Sequence, residues 1–243
     1  MRARLEAIVE RLFPGMGFRP LYLTAAAAWL MVLYHHHGGG SDAPDWFLDG
    51  SAQLFGVDDV QFNHHIWSHF TAVVLLMITP LVLCFVMERW TPRDLGFRIK
   101  GTGVEILVVL GLWLFMIPLV WLVHDWGNFP RVYPRLEATR NDMQLFFLFE
   151  GLYLVKWIAW EFFFRGFMLF GFGKDFLRRS VLISTIPFTL MHYGKPELEM
   201  ASAMIAGPIL CFLALRGRSI WPGVLLHWLV AGTMNFMACE WWR

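Results

Sequence analysis

The stretch W-E-F-F-F-R-G-F, residues 160–167, places a glutamate and an arginine four positions apart inside an almost wholly apolar run. Residues 145–172 contain five ionisable side chains, namely Glu150, Tyr153, Lys156, Glu161 and Arg165. Positions four apart lie on one face of a helix, so Glu161 and Arg165 can pair and neutralise each other. Because ionisable groups at membrane depth usually face a cavity or a partner, this segment predicts a membrane helix that carries a functional site.

The composition of the whole chain is that of a membrane protein. Of its 243 residues, 57% are hydrophobic and 16% are charged, whereas a soluble domain carries about 25% charged residues. The net charge is +1 and no long basic face is present, so nucleic-acid binding has no electrostatic support. Cys84, Cys211 and Cys239 are far apart and lack zinc-binding spacing, which indicates small buried apolar side chains.

The apolar segments predict an all-α fold, a polytopic membrane helix bundle of about seven transmembrane helices, because a spanning helix needs roughly 20 mostly apolar residues. The candidate spans are 20–36, 66–88, 104–124, 144–171, 180–194, 199–216 and 219–239. Residues 1–19 have apolar side chains at helical spacing and predict an amphipathic helix lying on the membrane surface. A cleaved signal peptide is the alternative interpretation of that segment. The membrane-embedded domain is then 20–243.

The distribution of lysine and arginine gives this bundle an orientation. One set of flanking segments, which includes the N-terminus, carries 13 of these residues, and the opposite set carries 5. Cytoplasmic loops are enriched in positive charge. We therefore expect an integral multi-pass membrane protein with its N-terminus in the cytoplasm and its C-terminus outside.

The depth of each polar residue along its span sorts the candidate site residues. A helix rises about 1.5 Å per residue, which places Glu161 about 15 Å, His192 about 17 Å and His227 about 12 Å from the cytoplasmic end. The same arithmetic places Glu150 near 31 Å and Asn235 near 24 Å. Three helices thus bring one carboxylate and two imidazoles to nearly one level, and Glu150 and Asn235 are expected to lie elsewhere.

One carboxylate with two imidazoles can activate water as a general base, position it and stabilise an oxyanion. Glu161, His192 and His227 are also a ligand set that a catalytic zinc ion accepts. Either chemistry is hydrolysis. The structural alternatives are a buried ion pair that locks the bundle and histidines that are satisfied in the core. Lys156, on the same helix, either faces a polar cavity or pairs with Glu150.

Three stretches, E-F-F-F-R-G-F (161–167), F-T-L-M-H (188–192) and S-I-W-P-G-V-L-L-H (219–227), resemble the motifs of the CAAX protease and bacteriocin-processing enzyme family. R-D-L-G-F-R (93–98) resembles a further feature of that family. Its members are multi-helix intramembrane endopeptidases, and the resemblance covers about residues 90–235. It implies peptide hydrolysis on a membrane-anchored peptide or protein substrate, within the lipid bilayer of the bacterial cytoplasmic (inner) membrane.

The resemblance also assigns roles to the site residues. It implies that Glu161 acts as general base, while His192 and His227 position the water or stabilise the oxyanion. Arg165 matches the motif arginine and would orient Glu161 and keep it ionised. This glutamate mechanism requires no cofactor; a divalent metal such as zinc, held by the glutamate and the two histidines, is the alternative.

The chain departs from the family motifs at two positions. Trp160 stands where the family has its first glutamate, and Ala231 stands where an asparagine or aspartate follows the second histidine by four residues. Asn235 is one turn further, about 6 Å too far outward, so the oxyanion donor is unidentified. These departures keep a second hypothesis open, a catalytically inactive family member that serves as a membrane scaffold or an immunity-type binding protein.

Overall fold

The computed structural model describes residues 2–99 and 101–242, and these residues contain helices and turns but no strand. Nine helices longer than ten residues lie in this part of the chain: α1 (Arg2–Leu12), α2 (Phe18–His37), α3 (Asp45–Phe55), α4 (Val60–Glu88), α5 (Gly103–Val123), α6 (Met143–Glu161), α7 (Ser180–Leu190), α8 (Glu197–Gly217) and α9 (Trp221–Cys239). A π-helical segment, Phe162–Gly171, continues α6 without a break. The predicted all-α bundle is confirmed.

Four of these helices, α4, α5, α8 and α9, are long and apolar enough to cross a membrane. Helix α7 is apolar but shorter. Helices α2 and α6 coincide with predicted spans, so the total of seven spans stays a prediction. Helix α7 ends at Leu190 rather than at the predicted residue 194, because the chain turns there and Gly194 adopts a left-handed φ of 85°.

Helix α6 and its π-helical continuation lie at the centre of the bundle. Helix α6 packs against α4 and α9, and the π-helical segment packs against α7. The phenylalanines of the stretch W-E-F-F-F-R-G-F are fully enclosed, since Phe162, Phe163 and Phe164 are at most 1% exposed. The charged pair of that stretch therefore sits in the core of the bundle and not on its lipid-facing surface.

Glycines allow the helices around this core to approach closely. A Cβ atom at Gly166 would lie 2.6 Å from Phe162 Cδ2, and one at Gly207 would lie 2.7 Å from Thr185 Cγ2. A Cβ atom at Gly223 would overlap Glu161 Oε2. The last of these contacts brings α9 directly against the site carboxylate.

The R-D-L-G-F segment, residues 93–97, is bonded to the start of α9. Thr91 and Asp94 form a capping box, and the backbone N–H of Thr91 lowers the pKa of the Asp94 carboxyl. Gly96, with a φ of 89°, accepts a hydrogen bond from the backbone N–H of Ile220 at 3.0 Å. This short loop therefore fixes the start of α9 relative to the π-helical segment.

Candidate active site

Glu161 is the last residue of α6 and is completely buried. Arg165, one turn later in the π-helical segment, is equally buried, and its Nη1 donates to Glu161 Oε1 at 3.0 Å. The ion pair expected from the four-residue spacing is therefore present. Segments of π-helix are rare and occur frequently at functional sites.

His227 reaches the same carboxylate oxygen from α9. Its Nδ1 lies 2.6 Å from Glu161 Oε1. Gly223 sits one turn earlier and leaves room for the carboxylate, since any side chain there would overlap it. Trp157 stacks on the imidazole with ring centroids 4.3 Å apart and an interplanar angle of 11°. The histidine is thus fixed by a hydrogen bond on its edge and by an indole on its face.

His192 follows the end of α7 and completes the group. Its Nδ1 lies 2.7 Å from the carbonyl oxygen of Phe188. Its ring is nearly parallel to that of His227, with centroids 6.2 Å apart. The Arg165 guanidinium carbon lies 4.1 Å from the centre of the Phe188 ring, which links the ion pair to the turn that carries His192.

The hydrogen-bond partners decide where the imidazole protons lie. A carboxylate and a carbonyl only accept hydrogen bonds, so Nδ1 is the donor in both His227 and His192. In the neutral form of each ring, Nε2 is then an acceptor. The two histidines are therefore arranged to accept hydrogen bonds from a water molecule rather than to donate them to an oxyanion.

The two oxygens of Glu161 have different surroundings. Oε1 accepts from Arg165 and His227, whereas Oε2 is buried and has no hydrogen-bond partner among the described residues. His227 is the most exposed member of the group, with 14% of its side chain accessible, and His192 is 8% exposed. Access to the carboxylate therefore runs past the histidines.

Comparison with known proteins identifies this part of the chain. Residues 142–233 match the family described as Rce1-like, type II CAAX prenyl endopeptidase. This match supports the resemblance of the region to the CAAX protease family. The match contains all four predicted site residues and lies within the segment, about 90–235, over which the motifs resemble the family. No curated protein and no solved structure matches the chain.

Asn235, one turn beyond the second departure from the family motifs, has its hydrogen-bond partners outside the Glu161 group. Asn235 Nδ2 donates to Glu150 Oε1 at 2.5 Å, and Asn235 Oδ1 accepts from the backbone N–H of Arg135 at 2.9 Å. Thr233 Oγ1 accepts a hydrogen bond from the Trp113 indole N–H at 2.9 Å. As expected from their depths, neither Asn235 nor Glu150 contacts the Glu161 group, and the position of the family's asparagine is filled by the buried Ala231.

The zinc alternative can be tested against the geometry. Zinc binds its nitrogen and oxygen ligands at about 2.0–2.2 Å, so the ligand atoms must all face one point. In the described part of the chain, ligand atoms lie within 4.8 Å of one another in His124, Asp125 and Glu240 but not in the set Glu161, His192 and His227. The site carboxylate is moreover already bound by a guanidinium. The observed arrangement does not fit a zinc ion.

Sequence reasoning missed the aromatic walls of the site. The indole N–H groups of Trp157 and Trp160 are both buried and have no acceptor among the described residues. The Trp160 ring lies 6.4 Å from that of His192, at an angle of 82°. The helical spacing of Trp157, four residues before Glu161, was a signal in the sequence, since it puts the indole on the same helix face.

Proposed function

We propose that the protein is an intramembrane endopeptidase that hydrolyses a peptide bond of a membrane-anchored peptide or protein. The observation that carries this proposal is the asymmetry of the Glu161 carboxylate. One oxygen is held by Arg165 and His227, and the other is free to accept a proton. A buried carboxylate kept ionised by a fixed cation is suited to act as a general base.

The reaction follows from this arrangement. A water molecule donates one hydrogen bond to an Nε2 acceptor of the histidine pair and the other to Glu161 Oε2. Its oxygen attacks the scissile carbonyl carbon while the second proton passes to Glu161 Oε2. The new C–O bond produces a tetrahedral oxyanion. When the C–N bond breaks, Glu161 returns the proton to the leaving amine. Arg165 keeps the carboxylate ionised between these two transfers.

The oxyanion requires hydrogen-bond donors, which the neutral histidines do not provide. The indole N–H groups of Trp157 and Trp160 have no acceptor among the described residues, and both rings lie beside an imidazole of the site. We assign them the role that the family gives to the asparagine replaced here by Ala231. Removal of a single oxyanion donor in other enzymes costs about 10²–10³ in kcat.

The proposal includes a location, the bacterial cytoplasmic membrane with the N-terminus inside. The excess of lysine and arginine on the α1 side of the bundle supports that orientation. Single cysteines introduced at Arg179 and Gly127, on opposite ends of the bundle, should react with a membrane-impermeant reagent from opposite sides. Labelling of both from the same side would contradict the orientation.

The activity is tested with the purified full chain in liposomes. A panel of fluorogenic peptides, each carrying one lipid anchor, is incubated with the protein, and the products are identified by mass spectrometry. We expect cleavage of one peptide bond, retained in the presence of a chelator. Loss of activity with the chelator and recovery with zinc would replace the glutamate mechanism by the metal mechanism.

The second candidate function is a scaffold or immunity-type binding protein without activity. Trp160 in place of the first family glutamate and Ala231 in place of the asparagine favour it. In the same liposome assay it predicts that an anchored peptide binds and stays intact. The geometry around Glu161 favours the enzyme, because a merely structural ion pair does not require two histidines beside it.

A further inference from the structure

Lys156 lies on α6 five residues before Glu161 and faces the interior of the bundle. Its Nζ donates to the Ser68 hydroxyl on α4 at 3.1 Å. It also lies 6.0 Å from the Tyr34 ring centre and 5.6 Å from that of Tyr153. The lysine does not pair with Glu150, whose carboxylate is bound by Asn235. Of the two sequence-based interpretations, the structure therefore excludes the pairing with Glu150.

This lysine has no counter-ion in the described part of the chain. No carboxylate oxygen of those residues lies within 4.0 Å of Nζ, and its electrostatic interaction is with another cation, Arg135. An ammonium group in a membrane interior is costly unless an anion or water compensates it. Ser68 and the two tyrosine rings supply dipoles but no full negative charge.

Two further residues near Lys156 have buried nitrogen atoms without hydrogen-bond partners among the described residues. The Arg135 side chain interacts electrostatically with Tyr153, and its buried Nε has no partner among the described residues. His69 stacks on Tyr153 at 5.2 Å, is 5% exposed, and has no partner on either ring nitrogen. These two groups, which come from different elements, have buried nitrogen atoms whose hydrogen-bonding capacity the described chain leaves unused.

A third cation, Lys195, lies near these residues, and its charge is already compensated by a carboxylate. Lys195 Nζ lies 3.7 Å from Glu199 Oε1 and donates to the Tyr133 hydroxyl at 3.3 Å. Tyr133 in turn donates to Glu199 at 2.8 Å. Glu199 also interacts electrostatically with Arg135, so Lys156 is the cation of this group that has no carboxylate partner among the described residues.

The residues around Lys156 border directly on the candidate active site. The Tyr34 ring, next to Lys156, lies 6.0 Å from that of Trp160, and Trp160 lies 6.4 Å from His192. On the other side, Tyr153 lies 4.9 Å from Trp157, which stacks on His227. Lys156 is about 7.5 Å from Glu161 along the helix axis, a distance spanned by two or three extended residues.

We propose that Lys156, supported by Arg135, binds a carboxylate of the peptide substrate while the scissile bond lies at Glu161. This inference rests on the proposed peptidase function. A carboxylate provides the compensating anion, and an ammonium–carboxylate hydrogen bond is about twice as strong as one between neutral groups. The carboxylate belongs either to the free C-terminus of the peptide or to an Asp or Glu side chain. An interior position, enclosed by α2, α4 and α6, favours the peptide over a lipid headgroup.

The test compares matched anchored peptides in liposomes. One pair ends in a free carboxylate or a C-terminal amide, and a second pair carries Glu or Gln within three residues of the cleaved bond. We expect the wild type to prefer one acidic peptide by about 10- to 100-fold in kcat/KM, the range of a charge-assisted hydrogen bond. The Lys156→Met variant should lose this preference and cleave the acidic and neutral members of each pair with similar kcat/KM.

Other outcomes overturn the proposal. If Lys156→Met lowers cleavage of acidic and neutral peptides equally, and lowers the melting temperature, the lysine only ties α6 to α4 through Ser68. If the acidic preference survives in the variant, the carboxylate binds elsewhere. If the variant instead loses a dependence on phosphatidylglycerol in the vesicles, the anion is a lipid headgroup. Lys174→Met, at an exposed position on the opposite end of the bundle, is the matched control and should behave as the wild type does.

A binding measurement separates this inference from the proposed function. In the Glu161→Gln background, fluorescence anisotropy of labelled acidic and neutral peptides reports affinity without cleavage. A carboxylate preference that depends on Lys156 supports the anion site even if the wild type cleaves no peptide. Equal affinities for the acidic and neutral members of both pairs would refute the anion site, even if the wild type proves to be a peptidase.

Discussion

Helix α6 carries two buried carboxylates, and their partners differ completely. Glu161 is bound by the Arg165 guanidinium and the His227 imidazole through one oxygen. Glu150, eleven residues earlier and about 16 Å away along the axis, is bound by the amide of Asn235. One carboxylate is surrounded by a fixed cation and titratable rings, and the other by neutral dipoles.

This difference shows that burial alone does not define the site. Both carboxylates are costly in a bilayer, and by sequence each is a candidate. Only Glu161 has a compensating cation and a second hydrogen bond on the same oxygen, whereas the other oxygen of each carboxylate is buried without a partner among the described residues. Glu150 instead connects α6 to α9 through Asn235 and, by its carbonyl, to the indole of Trp228. The first arrangement suits proton transfer and the second suits helix docking.

The largest predicted effect concerns the imidazole on Glu161. Replacement His227→Asn should lower kcat by about 10²–10⁴, because it removes a group that positions the water and fixes the base. The measurement is kcat on an anchored peptide in liposomes. His124→Asn, whose ring lies outside the site, is the control and should leave kcat unchanged. Equal activity of the two variants would remove His227 from the mechanism.

The next effect tests the ion pair. Arg165→Met leaves a buried carboxylate without its cation, which should lower the free energy of unfolding by about 3–5 kcal/mol. The double variant with Glu161→Gln should recover part of this loss, because no uncompensated charge remains. Midpoints of unfolding in a mixed-detergent titration measure both. The control is Arg178→Met, because Arg178 is exposed and lies outside the ion pair. Additive losses in the double variant would show that the two residues do not compensate each other.

A third prediction concerns the oxyanion donors near Glu161. Trp160→Phe keeps an aromatic ring against His192 but removes the indole N–H, so kcat should fall about 10²-fold with KM little changed. Trp228→Phe, whose indole serves the Glu150 carbonyl, is the matched control. A fall in KM and kcat together, or no change at all, would assign Trp160 to packing.

The smallest effect is expected at the second carboxylate. Asn235→Leu leaves Glu150 without its donor and should cost about 1–3 kcal/mol of unfolding free energy. Catalysis should be retained once the variant is folded, because neither residue contacts the Glu161 group. The same detergent titration and peptide assay measure the two effects. A selective loss of kcat without loss of stability would place this pair in the mechanism and weaken the comparison.

The sequence predicts much of this site because depth along a helix is fixed by residue number. Counting residues placed Glu161, His192 and His227 at one level, and the four-residue spacing predicted the Glu161–Arg165 pair. Counting does not give helix tilt, which is set by packing against neighbouring helices. For that reason Glu150 and Asn235, predicted at different depths, are in contact.

Other features depend on tertiary contacts that no local pattern records. The sequence does not show that His227 and Arg165 share one carboxylate oxygen, or that Lys156 faces Ser68 and not Glu150. Helix α3 was missed between the predicted spans 20–36 and 66–88, because its 11 residues are too few for a spanning segment. The early end of α7 was missed because residues 191–193 contain no proline or glycine that would mark the end of a helix.

The most direct test of the central claim measures one pair of variants on the two carboxylates. Glu161→Gln and Glu150→Gln are compared for cleavage of the same anchored peptide in liposomes, after both are shown to be folded. The account predicts that Glu161→Gln loses about 10²–10⁴ in kcat, while Glu150→Gln retains most of the wild-type activity. Wild-type activity in Glu161→Gln, or an equal loss in both variants, would contradict it.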